Sequence, residues 1–311
     1  MIGRFAQITD TGRKRRRNED AYVVEPPLFA IADGMGGAQA GEVASRLAAA
    51  AVRESGADGA GGEAGIVALM QEANRRVYDR SSTDPHTSGM GTTMTVALVE
   101  ADRVAFGHVG DSRAYLIRDG RIEQLTEDHS LVNELMKSGK LSPEEAETHP
   151  QRSVITRALG TDPDVDVDTF SVPAQGGDLF LLCSDGLTDM VEQGEILALV
   201  ERNRDSIEAA LKSLVKAANR GGGEDNITIV AFEIANVAVH DGQTQEQARP
   251  PELEASRTID EEATLDELDA VPVVEDKKRR RRKLRRRFYA WLVLLAFLIA
   301  VAFLVAWRLR A

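Results

Sequence analysis

The spacing of hydrophobic and polar positions changes period several times over the first 234 residues. Residues 5–9 alternate, as a half-buried strand does. Residues 28–32 and 179–183 are short unbroken apolar runs, and 227–234 is a longer, mainly apolar one, the pattern of buried strands. Residues 93–99 and 104–108 also read as strands. Residues 115–118 and 121–125 flank Asp119-Gly120, the pair that closes a tight type I′ hairpin. Helical spacing covers 40–54 and 66–80, with a glycine-rich loop expected at 56–65. A polar helical stretch follows at 131–138. Ser142-Pro143-Glu144-Glu145 is a helix start, and 206–219 is the last helix. Strands joined by hairpins, with helices grouped apart from them, predict an α+β domain rather than alternating βαβ units.

Beyond residue 236 the pattern is of another kind. Residues 237–276 are acidic, poor in aromatics and broken by Pro250-Pro251, which predicts a disordered linker. Residues 241–276 hold twelve acids against two bases, whereas 277–287 hold ten bases and no acid. Residues 288–307, FYAWLVLLAFLIAVAFLVAW, carry no charge, and as a helix they span about 30 Å, the thickness of a bilayer core. Tyr289, Trp291 and Trp307 sit at the expected interfaces. The expectation is a single transmembrane helix with a short extracytoplasmic tail, 308–311. The polybasic segment 277–287 then lies against anionic lipid, and the domain of residues 1–236 lies in the cytoplasm.

The 311 residues have a formal charge of -12, and residues 1–240 alone hold 24 bases and 38 acids. So acidic a domain repels a phosphate backbone, which argues against a nucleic-acid partner. The single cysteine, Cys183, allows no intrachain disulfide and fits a reducing compartment. The amino terminus lacks the apolar stretch of a signal peptide.

Candidate chemistry lies in carboxylates at the ends of apolar strands. Asp33 follows LFAIA, Asp185 follows LFLLCS, Asp111 sits in GHVGDSR, Asp225 sits in GGGEDNIT, and Glu19 and Asp20 sit in RRRNEDA. Singly, each has an ordinary explanation: Asp-Gly is a common turn, Asp225-Asn226 can cap one, and Asp111 can pair with Arg113. Together, converging anions need a cation between them. The set is all oxygen, and the five histidines show no ligand spacing, so Mg or Mn is favoured over Zn. Gly34, after Asp33, allows a backbone carbonyl to approach a metal closely. An arginine from residues 13–17 beside such a centre suits a phosphate oxyanion, although most of that run reads as a solvated face.

TDTGRKRRRNEDA, ADGMGG, GMGTTMT, GHVGDSRAYL, LTEDHSL, HPQRSVITRALG, LFLLCSDGLTDMV and EDNITIV occur in this order, and over residues 3–234 the chain closely resembles the bacterial PPM (type 2C) protein phosphatases. The resemblance implies a four-layer α/β/β/α sandwich of two antiparallel sheets flanked by helices, with a dinuclear Mn or Mg centre at one end. It implies metal-dependent hydrolysis of phosphoserine and phosphothreonine on proteins, opposing serine/threonine kinase signalling, with a kinase among the partners. In the family a carboxylate follows the phosphate-binding arginine by four residues, which gives Arg15 that role beside Glu19. Glu19, Asp33, the Gly34 carbonyl, Asp185 and Asp225 look like ligands of the two core ions. Asp111 with Asp185 matches a third metal site, and Asp20 looks like a water-mediated supporting ligand. Residues 128–160 resemble the mobile flap that influences substrate choice. The chain departs from the family in placing Met35 where animal members have a histidine, and Ala38 where many bacterial members have one. Leaving-group protonation then falls to a metal-bound water or goes partly unassisted. No covalent enzyme intermediate is needed, and Cys183 reads as a buried strand-end residue.

Overall fold

The computed structural model describes residues 2–36, 40–56 and 61–235. The linker, polybasic segment, transmembrane helix and tail expected over 237–311 lie outside the described residues, as does Ala38. Among the described residues no helix is long and apolar enough to cross a membrane.

In chain order the elements are β1 (Ile2–Asp10), β2 (Asp20–Glu25), β3 (Leu28–Met35), α1 (Ala40–Gly56), α2 (Gly62–Thr83), β4 (Gly91–Thr92), β5 (Met94–Val99), β6 (Arg103–Val109), β7 (Arg113–Arg118), β8 (Arg121–Gln124), α3 (Leu131–Lys137), α4 (Pro143–Glu147), β9 (Asp168–Pro173), β10 (Leu179–Cys183), α5 (Asp185–Thr188), α6 (Gln193–Arg202), α7 (Ile207–Gly221) and β11 (Ile227–Ile234). One sheet runs β1-β11-β10-β7-β8 and the other β2-β3-β5-β6-β9, with β4 on β3. Every strand pairing is antiparallel.

The alternation of side chains along each strand builds the layers. On β11, Val230, Phe232 and Ile234 join the core between the sheets, while Ile227, Ile229 and Ala231 face a second core with α6 and α7. On β3, Phe29 and Ile31 point between the sheets, while Leu28, Ala30 and Ala32 join a third core with α1 and α2. Phe29 stacks on Phe232 at 4.2 Å, and Phe106 on β6 lies 5.8 Å from Phe180 on β10, so aromatic rings clamp sheet to sheet. The expected α/β/β/α sandwich is therefore present.

Local chemistry sets the element ends. Ser206 caps α7 through the Ala209 N–H, and Ser142 with Glu145 forms a reciprocal capping box on α4. Asp119 and Gly120 have φ of 50° and 66°, as a type I′ turn demands. The expected loop over 56–65 is shorter: α1 runs through Gly56 and α2 begins at Gly62, because the run of alanine and other strong helix formers outweighs the single glycines.

Candidate active site

Antiparallel pairing brings chain ends from both sheets to one edge. Asp20 opens β2 and Asp33 lies near the end of β3, and the two are directly opposite in the register. Asp185 follows β10, Asp225 precedes β11, and Asp111 lies in the turn from β6 to β7, which crosses from one sheet to the other. The carboxylates come from two sheets that end together.

Fixed hydrogen bonds hold these backbones. Asp33 donates its N–H to Thr93 Oγ1 (3.0 Å) and accepts the Thr92 hydroxyl on its carbonyl (2.7 Å). Thr93 Oγ1 meets Ser112 Oγ at 2.8 Å, tying β3 to the turn that carries Asp111. The Ser184 hydroxyl bonds Asp20 Oδ2 at 3.0 Å, and Thr228 donates its N–H to Ser184 Oγ. Asn226 is the busiest linker. Its Nδ2 donates to the carbonyls of Thr11 (3.0 Å) and Arg17 (2.9 Å), and its Oδ1 accepts the Glu19 N–H (2.8 Å). Gly34 has a second reason to be glycine: a Cβ there would stand 2.1 Å from the Gly41 carbonyl oxygen and 2.6 Å from that of Glu19. The start of α1 thus packs backbone to backbone on the site.

The electrostatics are those of crowded anions. Burial pushes Asp33 well above the carboxylate range, and the charges of Asp20, Asp185, Asp111 and Asp225 push it further. Burial, then Asp111 and Asp225, raises Asp185 likewise. Asp20 and Asp111 are pushed up to about 6, chiefly by burial. Glu19 is raised by burial against the pull of Arg15. Asp20, Asp111 and Asp185 are each partly exposed as residues, yet Oδ1 of each is shut off from solvent with no hydrogen-bond partner. A buried carboxylate oxygen without a donor is costly, and an all-oxygen, anionic donor set fits a hard divalent cation. Among the described residues no three such side chains stand as a ready-made ligand shell; Arg15 Nη2 engages Asp225 Oδ2 at 2.5 Å, and Ser184 engages Asp20.

Arg113 does not pair with Asp111. It forms a bidentate bond to Asp128, at 2.7 Å for its closest contact, and so leaves Asp111 free for the centre. Beside Asp111 and Asp185 opens a cleft of about 660 Å³, walled by α3, α4 and the start of α6. Asp189, also on this wall, adds to the repulsion on Asp185, and sequence reasoning missed it. It missed Asn226, Ser184 and Thr93 as well, whose uncharged side chains signal nothing until their partners are known. Cys183 is buried, and burial raises its thiol to about 12, which removes it as a nucleophile.

The protein phosphatase 2C pattern matches residues 12–221. The chain belongs to the protein phosphatase 2C family. It is 41% identical over 248 residues to the serine/threonine protein phosphatase PstP of Mycobacterium tuberculosis (strain CDC 1551 / Oshkosh), an alignment that covers 79% of this chain and 47% of PstP. The chain thus spans about half the length of that relative. It is 41% identical over 236 residues to the serine/threonine phosphatase stp of Listeria monocytogenes serotype 4b (strain F2365), covering 72% of this chain and 93% of stp. The crystal structure of the catalytic domain of PstP in complex with two manganese ions superposes with a TM-score of 0.70 at 38% identity, over 76% of this chain and 99% of that one.

Proposed function

We propose that this chain is a metal-dependent phosphatase acting on phosphoserine and phosphothreonine of proteins. The observation that carries this reading is the convergence of Asp20, Asp33, Asp111, Asp185 and Asp225 on one edge, with three buried carboxylate oxygens lacking a partner. Glu19, Asp33, the Gly34 carbonyl, Asp185 and Asp225 would hold two Mn or Mg ions, Asp20 would support them through water, and Asp111 with Asp185 would hold a third. When bound, such ions supply a nucleophilic water at neutral pH and offset phosphoryl charge. Arg15 pairs with Asp225 from a side chain about half exposed; with Asp225 engaged as a metal ligand, the Arg15 fork would be available to phosphoryl oxygens. The Asn226 clamp fixes the backbone that aims Arg15, and the Thr93–Ser112 link keeps Asp33 and Asp111 in step. Opposition to a serine/threonine kinase, anchoring by residues 288–307, lipid contact by 277–287 and a cytoplasmic domain complete the reading, supported by the charge asymmetry of the sequence.

The test is turnover of p-nitrophenyl phosphate and a phosphothreonine peptide by the purified chain. Activity should need Mn or Mg and vanish in EDTA, and Asp185→Asn and Asp33→Asn should each lower kcat by orders of magnitude. Full turnover in metal-free buffer, or a near wild-type Asp185→Asn, overturns it. For the anchor, alkaline phosphatase fused after Ala311 should be active, and recovery of the full chain in the soluble fraction would argue against a span.

A further inference from the structure

Residues 13–17, Arg-Lys-Arg-Arg-Arg, form a run of five bases on a domain that is otherwise strongly acidic. All five side chains are exposed. Arg15 has its partner inside the site, whereas Arg13, Lys14 and Arg16 make no side-chain ion pair among the described residues. The backbone beneath them is nevertheless fixed. The Arg13 and Lys14 N–H groups donate to the Gly223 carbonyl at 2.7 and 3.1 Å. Asn226 Nδ2 holds the carbonyls at both ends of the loop, Thr11 and Arg17, and the Gly12 N–H bonds Asp10 Oδ1 at 2.9 Å. Gly12, at φ +74°, has room for no Cβ, because one would lie 2.2 Å from the Asp225 carbonyl oxygen. None of these bonds uses a basic side chain.

A rigid loop that keeps Arg13, Lys14 and Arg16 without ion pairs among the described residues, beside the carboxylate cluster that Arg15 joins, works against electrostatic self-repulsion, and such a loop is attractive to anions. We infer that Arg13, Lys14 and Arg16 read acidic residues flanking the phosphorylated residue, so that the preferred substrates are phosphoproteins with Asp- and Glu-rich flanks. This rests on the phosphatase reading above. With the phosphoryl group against Arg15, an extended peptide carries its neighbours away at about 3.3 Å per residue. The bases within two positions of Arg15 lie within the same reach. A domain this acidic repels an acidic peptide at long range, and the basic loop reverses that sign locally. Because the loop is already ordered, binding loses little further backbone entropy.

The experiment uses the full chain with Mn and three phosphothreonine peptides that differ only in having acidic, neutral or basic flanks, with p-nitrophenyl phosphate as reference. At low salt kcat/KM should favour the acidic over the neutral peptide by roughly tenfold, as several exposed ion pairs together allow, and the ratio should fall toward one at high salt. The triple variant Arg13→Gln, Lys14→Gln, Arg16→Gln should bring the ratio within about twofold of one. If that variant fails to fold, the salt series on the wild-type chain still decides. Turnover of p-nitrophenyl phosphate with no discrimination between flanks, or a preference that survives both the variant and high salt, overturns this inference alone. Absence of any turnover overturns the phosphatase reading beneath it.

Discussion

Asp20 and Asp33 face each other across β2 and β3, where two like charges are among the least favourable cross-strand pairs. Each of the two acids was legible in the sequence because an acid beside an apolar strand is conspicuous; their pairing was not. The groups that keep the pair in place were not, because Ser184, Thr93 and Asn226 are polar residues of kinds found in any loop. His108 is a third kind of residue, buried and outside the candidate ligand set. Its Nε2–H points at the Glu127 carbonyl (3.1 Å), and its Nδ1 meets the Thr95 hydroxyl (2.9 Å). Burial, then the neighbouring His129, lowers its pKa to about 4, against about 6.5 in an unfolded chain. Above pH about 6.5 neither state protonates this ring and its contribution is intact. As pH falls from about 6.5 toward 4 the unfolded chain takes up a proton that the fold refuses, so stability is lost, by at most about 3 kcal/mol. His108→Asn removes that titration, so its urea midpoint should fall less steeply than wild type between pH 6.5 and 4.5. Parallel profiles for the two proteins would show that His108 does not set this slope.

Among elements, the long segment between β8 and β9 shows how one side chain organises a surface that sequence pattern describes poorly. The Gly110 N–H donates to His129 Nδ1 at 3.0 Å, so Nδ1 carries no proton, and Nε2–H donates to Asp168 Oδ2 at 3.0 Å. The His129 N–H returns to the Gly110 carbonyl at 2.7 Å, and Thr156 N–H bonds the His129 carbonyl at 2.8 Å. Arg157 bonds Asp168 Oδ1 at 2.6 Å. Both roots of the 128–160 segment are thereby pinned beside the turn that carries Asp111. Asparagine places its Oδ1 near the position of Nδ1, whereas glutamine reaches the position of Nε2. His129→Gln should therefore leave the buried Gly110 N–H without an acceptor and cost roughly 1–3 kcal/mol more than His129→Asn. Urea denaturation gives the difference, and hydrogen exchange should rise over 131–154 in the Gln variant only; equal losses in the two would assign His129 to packing alone. The strands with unbroken apolar runs, β10 and β11, were legible to the residue because burial on both faces leaves only one pattern. β9 and α6 were not. DTFSVP is an edge strand with mostly half-buried positions and no clear alternation, and QGEILALVER is a short helix that contains a glycine.

At the scale of the molecule, the two sheets are joined at their centre by Phe29 on Phe232 and Phe106 against Phe180, and at one edge mutually repelling carboxylates converge. The α+β class was legible from strand and helix grouping, whereas the meeting of the two sheets at one edge followed from pairing register, which no local pattern contains. One sheet presents Asp20 and Asp33, the other is continued by Asp185 and preceded at β11 by Asp225, and Asp111 lies in the crossing turn. A divalent cation held between them binds the folded arrangement and not the unfolded chain, so it must raise stability by mass action. At a hundredfold excess over Kd the gain for one site is about 2.7 kcal/mol. For a domain of this size that corresponds to a rise in Tm of roughly 5–10 °C. The expected result is a Mn-dependent rise in Tm at pH 7.5 that EDTA reverses. Asp33→Asn removes one of the repelling charges, so without metal its Tm should equal or exceed that of wild type, while most of the Mn-dependent rise disappears. The pair of outcomes separates a metal ligand from a structural carboxylate: a structural Asp33 would lower Tm on substitution and leave the Mn response intact. Calorimetric titration with Mn, which needs no turnover, then gives the number of ions held between the sheets. Two in the core of the wild type, a third where Asp111 with Asp185 is filled, and fewer in Asp33→Asn is the stoichiometry that this arrangement of carboxylates calls for, and an unchanged Mn response in the variant would remove Asp33 from the centre.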